Sequence, residues 1–168
     1  MMTDFEAFAQ AQLPHLLRYS VMLTGDRDLA ADLVQDVLVK VYRQWPRVRG
    51  ADRPDRYAMR MLTNQFLSWR RSWAVRTIVA VGELPDRPQA ERFESTHAVR
   101  DDMWRRLAGL PKRQRAVLVL RYYEQLTDAE IADVLGCSAG TVRGYAHRAL
   151  ASLRVDLSAE LTAGTKET

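Results

Sequence analysis

The chain has 168 residues, 47% of them hydrophobic and 8% aromatic, with 25 lysines and arginines against 21 acids and a formal charge of +4. That is enough apolar surface for a packed core in one ordinary domain or two small ones, and it excludes a disordered chain. The mild excess of base permits a nucleic-acid partner without requiring one. One cysteine, Cys137, excludes an intramolecular disulfide. The chain does not open on a charged leader followed by an apolar stretch, and no apolar run approaches the ~18 residues of a membrane span, so a cytoplasmic protein with no membrane partner is expected.

Charge falls into blocks along the chain. From Met1 to Val39 the acids Asp4, Glu6, Asp26, Asp28, Asp32 and Asp36 outnumber Arg18 and Arg27. From Lys40 to Arg76 the chain is strongly basic, with Asp52 and Asp55 its acids. Within "DRDLAADLVQDVLVKVYRQW", Leu29, Leu33, Val37 and Val41 recur every fourth residue and Val34 and Leu38 widen the stripe, which predicts an amphipathic helix. Asp32, Gln35, Asp36 and Lys40 lie on its other side, with Asp36 and Lys40 spaced for an i,i+4 pair. The residues alone leave this side open between a solvated face and a docking face. "WPRVRGADRP", with Pro46, Gly50 and Pro54, is expected to be a loop, and helix to resume near Pro54. In "DRYAMRMLTNQFLSWRRSW", Tyr57, Met61, Leu62, Phe66 and Trp69 can pack inward while Arg60, Asn64, Ser68 and Arg71 share another face. Basic and aromatic residues so interleaved suit phosphate holding and base stacking, although most such helices are simply soluble and their aromatics core.

"VGELPDRPQAERFESTH" carries Pro85 and Pro88, scattered charge and no sustained period, and reads as a linker between two helical modules. Beyond it Pro111 suits the first turn of a helix through "RQRAVLVLRYY" that ends near Glu124 or Gln125. Thr127 and Glu130 have capping-box spacing for a short helix with Ile131, Val134 and Leu135 inward. Gly136 can stop that helix in the left-handed conformation, and Ser138 can cap the next. A turn this short between two helices is the helix-turn-helix arrangement. Val142, Ala146, Ala149, Leu150 and Leu153 can face the core, leaving Thr141, Arg143, Gly144, His147 and Arg148 outward. The first helix is acidic and need only brace the fold, whereas the second carries bases and no early acid, as a helix approaching polyanionic DNA should. A helical hairpin with a solvated basic face is the other reading.

"LPKRQRAVLVLRYYEQLTDAEIADVLGCSAGTVRGYAHRALASLR" resembles the fourth conserved region of bacterial RNA polymerase sigma factors, above all the extracytoplasmic-function (ECF) group of the sigma-70 family. "DLAADLVQDVLVKVYRQW" is similar to their second region, and "RYAMRMLTNQFLSWRRSW" to its continuation, in the family's order and spacing. The flavour of "RMLTNQFLSWRR" and "GCSAGTVRGYAHRALASLR" is that of an actinobacterial subgroup often labelled SigE. The resemblance implies an all-α chain of two small helical domains: a region 2-like bundle over residues 1–76, a flexible linker over 77–97, a region 4-like helix-turn-helix domain over 98–156, and a tail over 157–168. It implies that Asp32, Gln35 and Asp36 dock on a coiled coil of the polymerase β′ subunit and that the second domain meets the β flap. It implies that the loop from Trp45 to Pro54, with Arg49, selects a flipped base of the minus-ten element, and that Tyr57, Arg60 and Asn64 hold the melted strand. Arg143 and Arg148 fall where the family reads the minus-thirty-five element, with Gly144 and His147 beside them and Thr127 and Thr141 near phosphates. An anti-sigma partner is common in the group. Gly144 stands where serine is common, Tyr145 where arginine is, and Ser68 where aspartate is, which leaves the promoter sequence open.

A stand-alone helix-turn-helix regulator would explain the second module but leaves the first without a task. An enzyme is not expected: His15, His97 and His147 are scattered, Cys137 lies in a turn, and no phosphate-cradling glycine loop occurs. Neither a metal nor another cofactor is expected.

Overall fold

Thr3 begins the first helix by a reciprocal cap. Its hydroxyl accepts from Glu6 N at 3.3 Å, while the Glu6 carboxylate accepts from Thr3 N at 2.7 Å, and two of the helix's orphan donors are satisfied. Helix α1 spans Asp4–Thr24, passes through Pro14, and stops at Gly25, whose φ of 65° only glycine takes freely. Asp26 caps α2, Arg27–Arg43, accepting from Asp28 N at 2.8 Å and Leu29 N at 3.0 Å. The computed structural model describes residues 1–79 and 97–164, and side chains over 1–69 and 102–154. The expected linker, apart from its ends, lies outside the described residues, as does the side chain of Arg71.

Helix α2 buries Leu33, Val34, Val37 and Val41 of the expected stripe, together with Ala30, against α1 and against α4, Pro54–Val79, while Leu29 and Leu38 are half-buried. Each buried valine or leucine contributes about 1.5–3 kcal/mol relative to exposure. Leu16, Tyr19 and Leu23 from α1 and Ala58, Met59, Leu62 and Phe66 from α4 complete the core. One polar chain crosses it: the Thr63 hydroxyl donates to Met59 O at 2.8 Å, so the Tyr19 hydroxyl, 2.7 Å from Thr63 Oγ1, is the donor of that pair.

Two local expectations change here. The stretch from Trp45 is not all loop: Trp45–Arg49 forms a short helix, α3. Pro46 sits in its first turn, where the missing N–H is an orphan anyway, so proline starts this helix rather than forbidding it. Only Gly50–Arg53 joins α3 to α4. The Asp36–Lys40 pair is also replaced: Lys40 Nζ donates to Gln65 Oε1 on α4.

The chain divides into compact units, Met1–Phe93 and Glu94–Thr168. The second begins with α5, His97–Ala108, and continues through α6, Lys112–Leu118. Pro111 precedes this helix as its N-cap residue, extended at ψ 145°, rather than standing inside the first turn. Val119–Tyr123 extends α6 as a π-helical turn, closed by Glu124 N donating to Val119 O at 3.0 Å. Arg115 reaches back across the α5–α6 corner, its Nε donating to Leu107 O at 2.9 Å and its Nη2 to Ala108 O at 3.0 Å. Burial lowers the pKa of that guanidinium. Helix α7, Asp128–Leu135, and helix α8, Ala139–Gly164, follow. Helix α8 packs on α6 and α7; Val142, Ala146 and Ala149 are its buried residues, and Val117 of α6 and Ile131 and Leu135 of α7 are buried with them. It runs on through residues 157–164, where the sequence suggests a tail. No strand occurs among the described residues, and the fold class is all-α.

Candidate nucleic-acid interface

In the second unit the turn Gly136–Ser138 sets the geometry. Thr127 and Glu130 form the expected capping box, Thr127 N donating to Glu130 Oε2 at 2.8 Å and Glu130 N to Thr127 Oγ1 at 3.2 Å. Gly136 closes α7 at φ 66°. Ser138 Oγ accepts from Thr141 N at 3.1 Å and lies 2.9 Å from Thr141 Oγ1, so the start of α8 is held by its own side chains. The acids of α7 are largely used internally: Asp128 Oδ1 accepts from Arg121 Nε at 3.0 Å, and Glu130 serves the cap. That pairing raises the pKa of Arg121. On α8 the side chains of Thr141, Arg143, His147, Arg148 and Arg154 are exposed, with Gly144 half-buried between them. The outward set expected from the sequence is therefore brought onto one helix, with no acid on its first four turns. Thr127 is exposed at the foot of α7, its hydroxyl engaged in the cap.

In the first unit the expected set is divided. Trp45 is half-buried at the start of α3, with ring centroids 5.6 Å from Phe5 and 5.1 Å from Phe8 on α1. Arg49, at the end of α3, is ion-paired to Asp4 at 3.0 Å, with both side chains largely exposed. These two residues brace α3 against α1. Tyr57, Arg60 and Asn64 lie along α4, Tyr57 half-buried and the others exposed. Beside them Arg53 grips Asp55 with two bonds, Nε to Oδ1 at 3.0 Å and Nη2 to Oδ2 at 2.8 Å. The hydrogen bond from Arg53 is the largest of the influences that lower the pKa of Asp55, and Asp55 in the first turn of α4 also suits the helix dipole.

Asp32, Gln35 and Asp36 are exposed on α2. Val39, 50% exposed, and Tyr42, 64% exposed, continue the same face at helical spacing. The sequence reading missed both, because Val39 in an apolar run is indistinguishable from core until the stripe's direction is known. Tyr42 is partly supported by Phe5, at 5.0 Å between centroids.

A helical module ending in a helix-turn-helix with a basic exposed second helix, preceded by a separate module of four helices with a basic α3–α4 corner, defines a DNA-binding protein of the transcription machinery. Residues 8–78 match the family model for sigma-70 region 2 and residues 100–153 that for sigma-70 region 4. The chain is 36% identical over 158 residues to the RNA polymerase sigma-E factor of Streptomyces coelicolor, covering 93% of this chain and 87% of that protein. It is 34% identical over 146 residues to the ECF RNA polymerase sigma factor SigL of Mycobacterium tuberculosis, covering 84% and 82%. The chain belongs to the ECF group of sigma-70 family RNA polymerase sigma factors. A similar fold occurs in the sigma factor RpoE of Bartonella quintana, solved in complex with the anti-sigma factor NepR, with a TM-score of 0.71, 23% identity, and coverage of 92% of this chain and 97% of that one. No helix among the described residues is long and apolar enough to cross a membrane.

Proposed function

We infer that this protein acts as an RNA polymerase sigma factor, binding core polymerase and directing promoter-specific transcription initiation. The observation that carries the reading is the joint presence of both modules in one chain, the region 2 match followed by the region 4 match. A stand-alone regulator needs only the second. In this reading the exposed α2 face of Asp32, Gln35, Asp36 and Val39 docks on the β′ coiled coil, and the second unit meets the β flap. The α3–α4 corner with Tyr57, Arg60 and Asn64 engages the minus-ten strand after it opens. Arg49, freed from a solvent-exposed pair that contributes at most ~1 kcal/mol, can turn to a phosphate there. Trp45 acts on this corner by fixing α3. Helix α8 enters the major groove of the minus-thirty-five element, with Arg143, His147 and Arg148 toward DNA and Thr127 and Thr141 beside the backbone. The protein works in the cytoplasm, and an anti-sigma protein is its expected regulator.

Run-off transcription on genomic fragments with purified core polymerase tests the reading. Added protein should produce discrete new transcripts from a subset of fragments. If it neither binds core nor changes initiation on any fragment, the assignment fails.

A further inference from the structure

The two exposed arginines early in α8 share a local arrangement. Helical side chains lean toward the helix N-terminus, so an arginine overlies the residues three and four positions before it. For Arg143 that place includes Gly140, and for Arg148 it includes Gly144. A Cβ at Gly140 would stand 3.8 Å from Arg143 Nη2, and one at Gly144 would stand 3.7 Å from both Nη1 and Nη2 of Arg148. Both guanidinium groups therefore lie back along the helix over backbone that carries no side chain. Arg148 has a second support: its Cζ lies over the ring of Tyr145, 5.2 Å from the centroid, within cation–π range.

We propose that Gly144 and Tyr145 are positioning residues for Arg148, holding its guanidinium ready to clamp a backbone phosphate of the minus-thirty-five DNA. The proposal rests on reading α8 as the helix that enters the groove. Phosphate rather than base follows from position along the helix. Helix-turn-helix proteins contact base edges with the N-terminal residues of the second helix, and the Arg148 guanidinium, over Gly144, lies about 6 Å further along the helix than that of Arg143 over Gly140, at a rise of ~1.5 Å per residue. A guanidinium resting on a ring face keeps its edge N–H groups free for two phosphate oxygens. Fixing it in advance removes part of the ordering cost at the moment of binding. Arg143, near the start of the helix and lying over Gly140, is left to adapt to a base edge.

The test is a double-mutant cycle on holoenzyme assembled with core polymerase, using a promoter mapped by run-off and variants of its minus-thirty-five element at several salt concentrations. Tyr145→Leu should weaken binding about two- to five-fold on every variant alike, leaving base preference and salt slope unchanged. Tyr145→Phe keeps the ring and should bind as wild type. In the Arg148→Ala background, which itself should lose about one unit of salt slope, Tyr145→Leu should add nothing. Gly144→Val should weaken binding by displacing the guanidinium and should also be silent in that background. Thermal unfolding controls for folding, with Tyr145→Met as a second non-aromatic variant. The proposal is overturned if Tyr145→Leu and Tyr145→Met bind as wild type while Arg148→Ala is weak, if their effect persists without Arg148, or if base preference changes. Wild-type binding by both Arg143→Ala and Arg148→Ala would instead remove the reading of α8 as the DNA reader, and the proposal with it.

Discussion

Arg115→Met is the perturbation that best isolates how the second unit is held together. It keeps an unbranched stem of similar length and removes the guanidinium that joins α6 to the end of α5. That guanidinium donates at 2.9 Å to Leu107 O, at 3.0 Å to Ala108 O and at 3.3 Å to Leu110 O, and its Cζ lies 5.9 Å from the ring centroid of Trp104. The last carbonyls of a helix have no intrahelical donor, so these bonds serve as a C-terminal cap supplied from the next helix. Leu107 O also accepts from Leu110 N at 3.1 Å, which leaves Ala108 as the carbonyl that loses most. Hydrogen bonds to charged groups contribute roughly 1.5–3 kcal/mol each, and burial of the guanidinium, which lowers its pKa, offsets part of that. The 3.3 Å bond counts for little. The net loss comes to about 2–3 kcal/mol, a large part of the stability of so small a unit. Amide hydrogen exchange of the full chain, read on peptides covering α5 and α6, should accelerate roughly 30- to 150-fold where exchange is limited by the opening equilibrium. Arg115→Lys should recover only a fraction, because one ammonium cannot reproduce the separate Nε and Nη2 bonds to Leu107 O and Ala108 O. Exchange in Arg115→Met within about threefold of wild type would refute the cap.

Four further outcomes follow from particular contacts. Asp55 has a folded pKa below its ordinary value of 3.8, so its contribution to stability is present above that value and is lost as pH falls through the lowered one. The stability difference between wild type and Asp55→Asn, measured by urea titration, should shrink toward zero in strong acid, and a pH-independent difference contradicts it. Thr63→Val removes the Thr63 partner of the buried Tyr19 hydroxyl and should cost about 1–3 kcal/mol by denaturant unfolding, whereas Tyr19→Phe should cost only about 1 kcal/mol. Gly136→Ala meets nothing within 4 Å but keeps a φ of 66°, so it should destabilise by about 1–2 kcal/mol through backbone strain. Gln125→Gly, at a non-glycine φ of 55°, should be neutral or stabilising in the same assay, and a loss above about 1 kcal/mol refutes the strain argument.

What could be read in the sequence was what short-range chemistry decides. Thr127 with Glu130, Gly136 and Ser138 act within one turn of themselves, so the helix-turn-helix and the outward side of α8 were legible from neighbouring residues alone. The stripe of Leu33, Val37 and Val41 repeats often enough to orient α2. Helix α5 was not legible, because its C-terminal cap comes from Arg115 across the corner. The π turn at Val119–Tyr123 has no side-chain signature, since it depends on which carbonyl Glu124 N selects. Pro46 misled for a physical reason: the same missing N–H that breaks a helix interior is harmless in a first turn. The family resemblance grouped Trp45 and Arg49 with Tyr57 as one expected minus-ten set. Their partners Phe8 and Asp4 are on α1, and pairing at such separation leaves no local pattern to read.

The central claim is that both modules act together on promoter DNA, and permanganate probing of unpaired thymines on a mapped promoter tests it most directly. Thymines around the minus-ten element should become reactive when core polymerase and this protein are both present, and should stay protected with either alone. Arg60→Ala with Asn64→Ala should reduce that reactivity while leaving protection of the minus-thirty-five element in place. Tight, sequence-specific binding of the protein alone to duplex DNA, with no opening when core polymerase is added, would contradict the account.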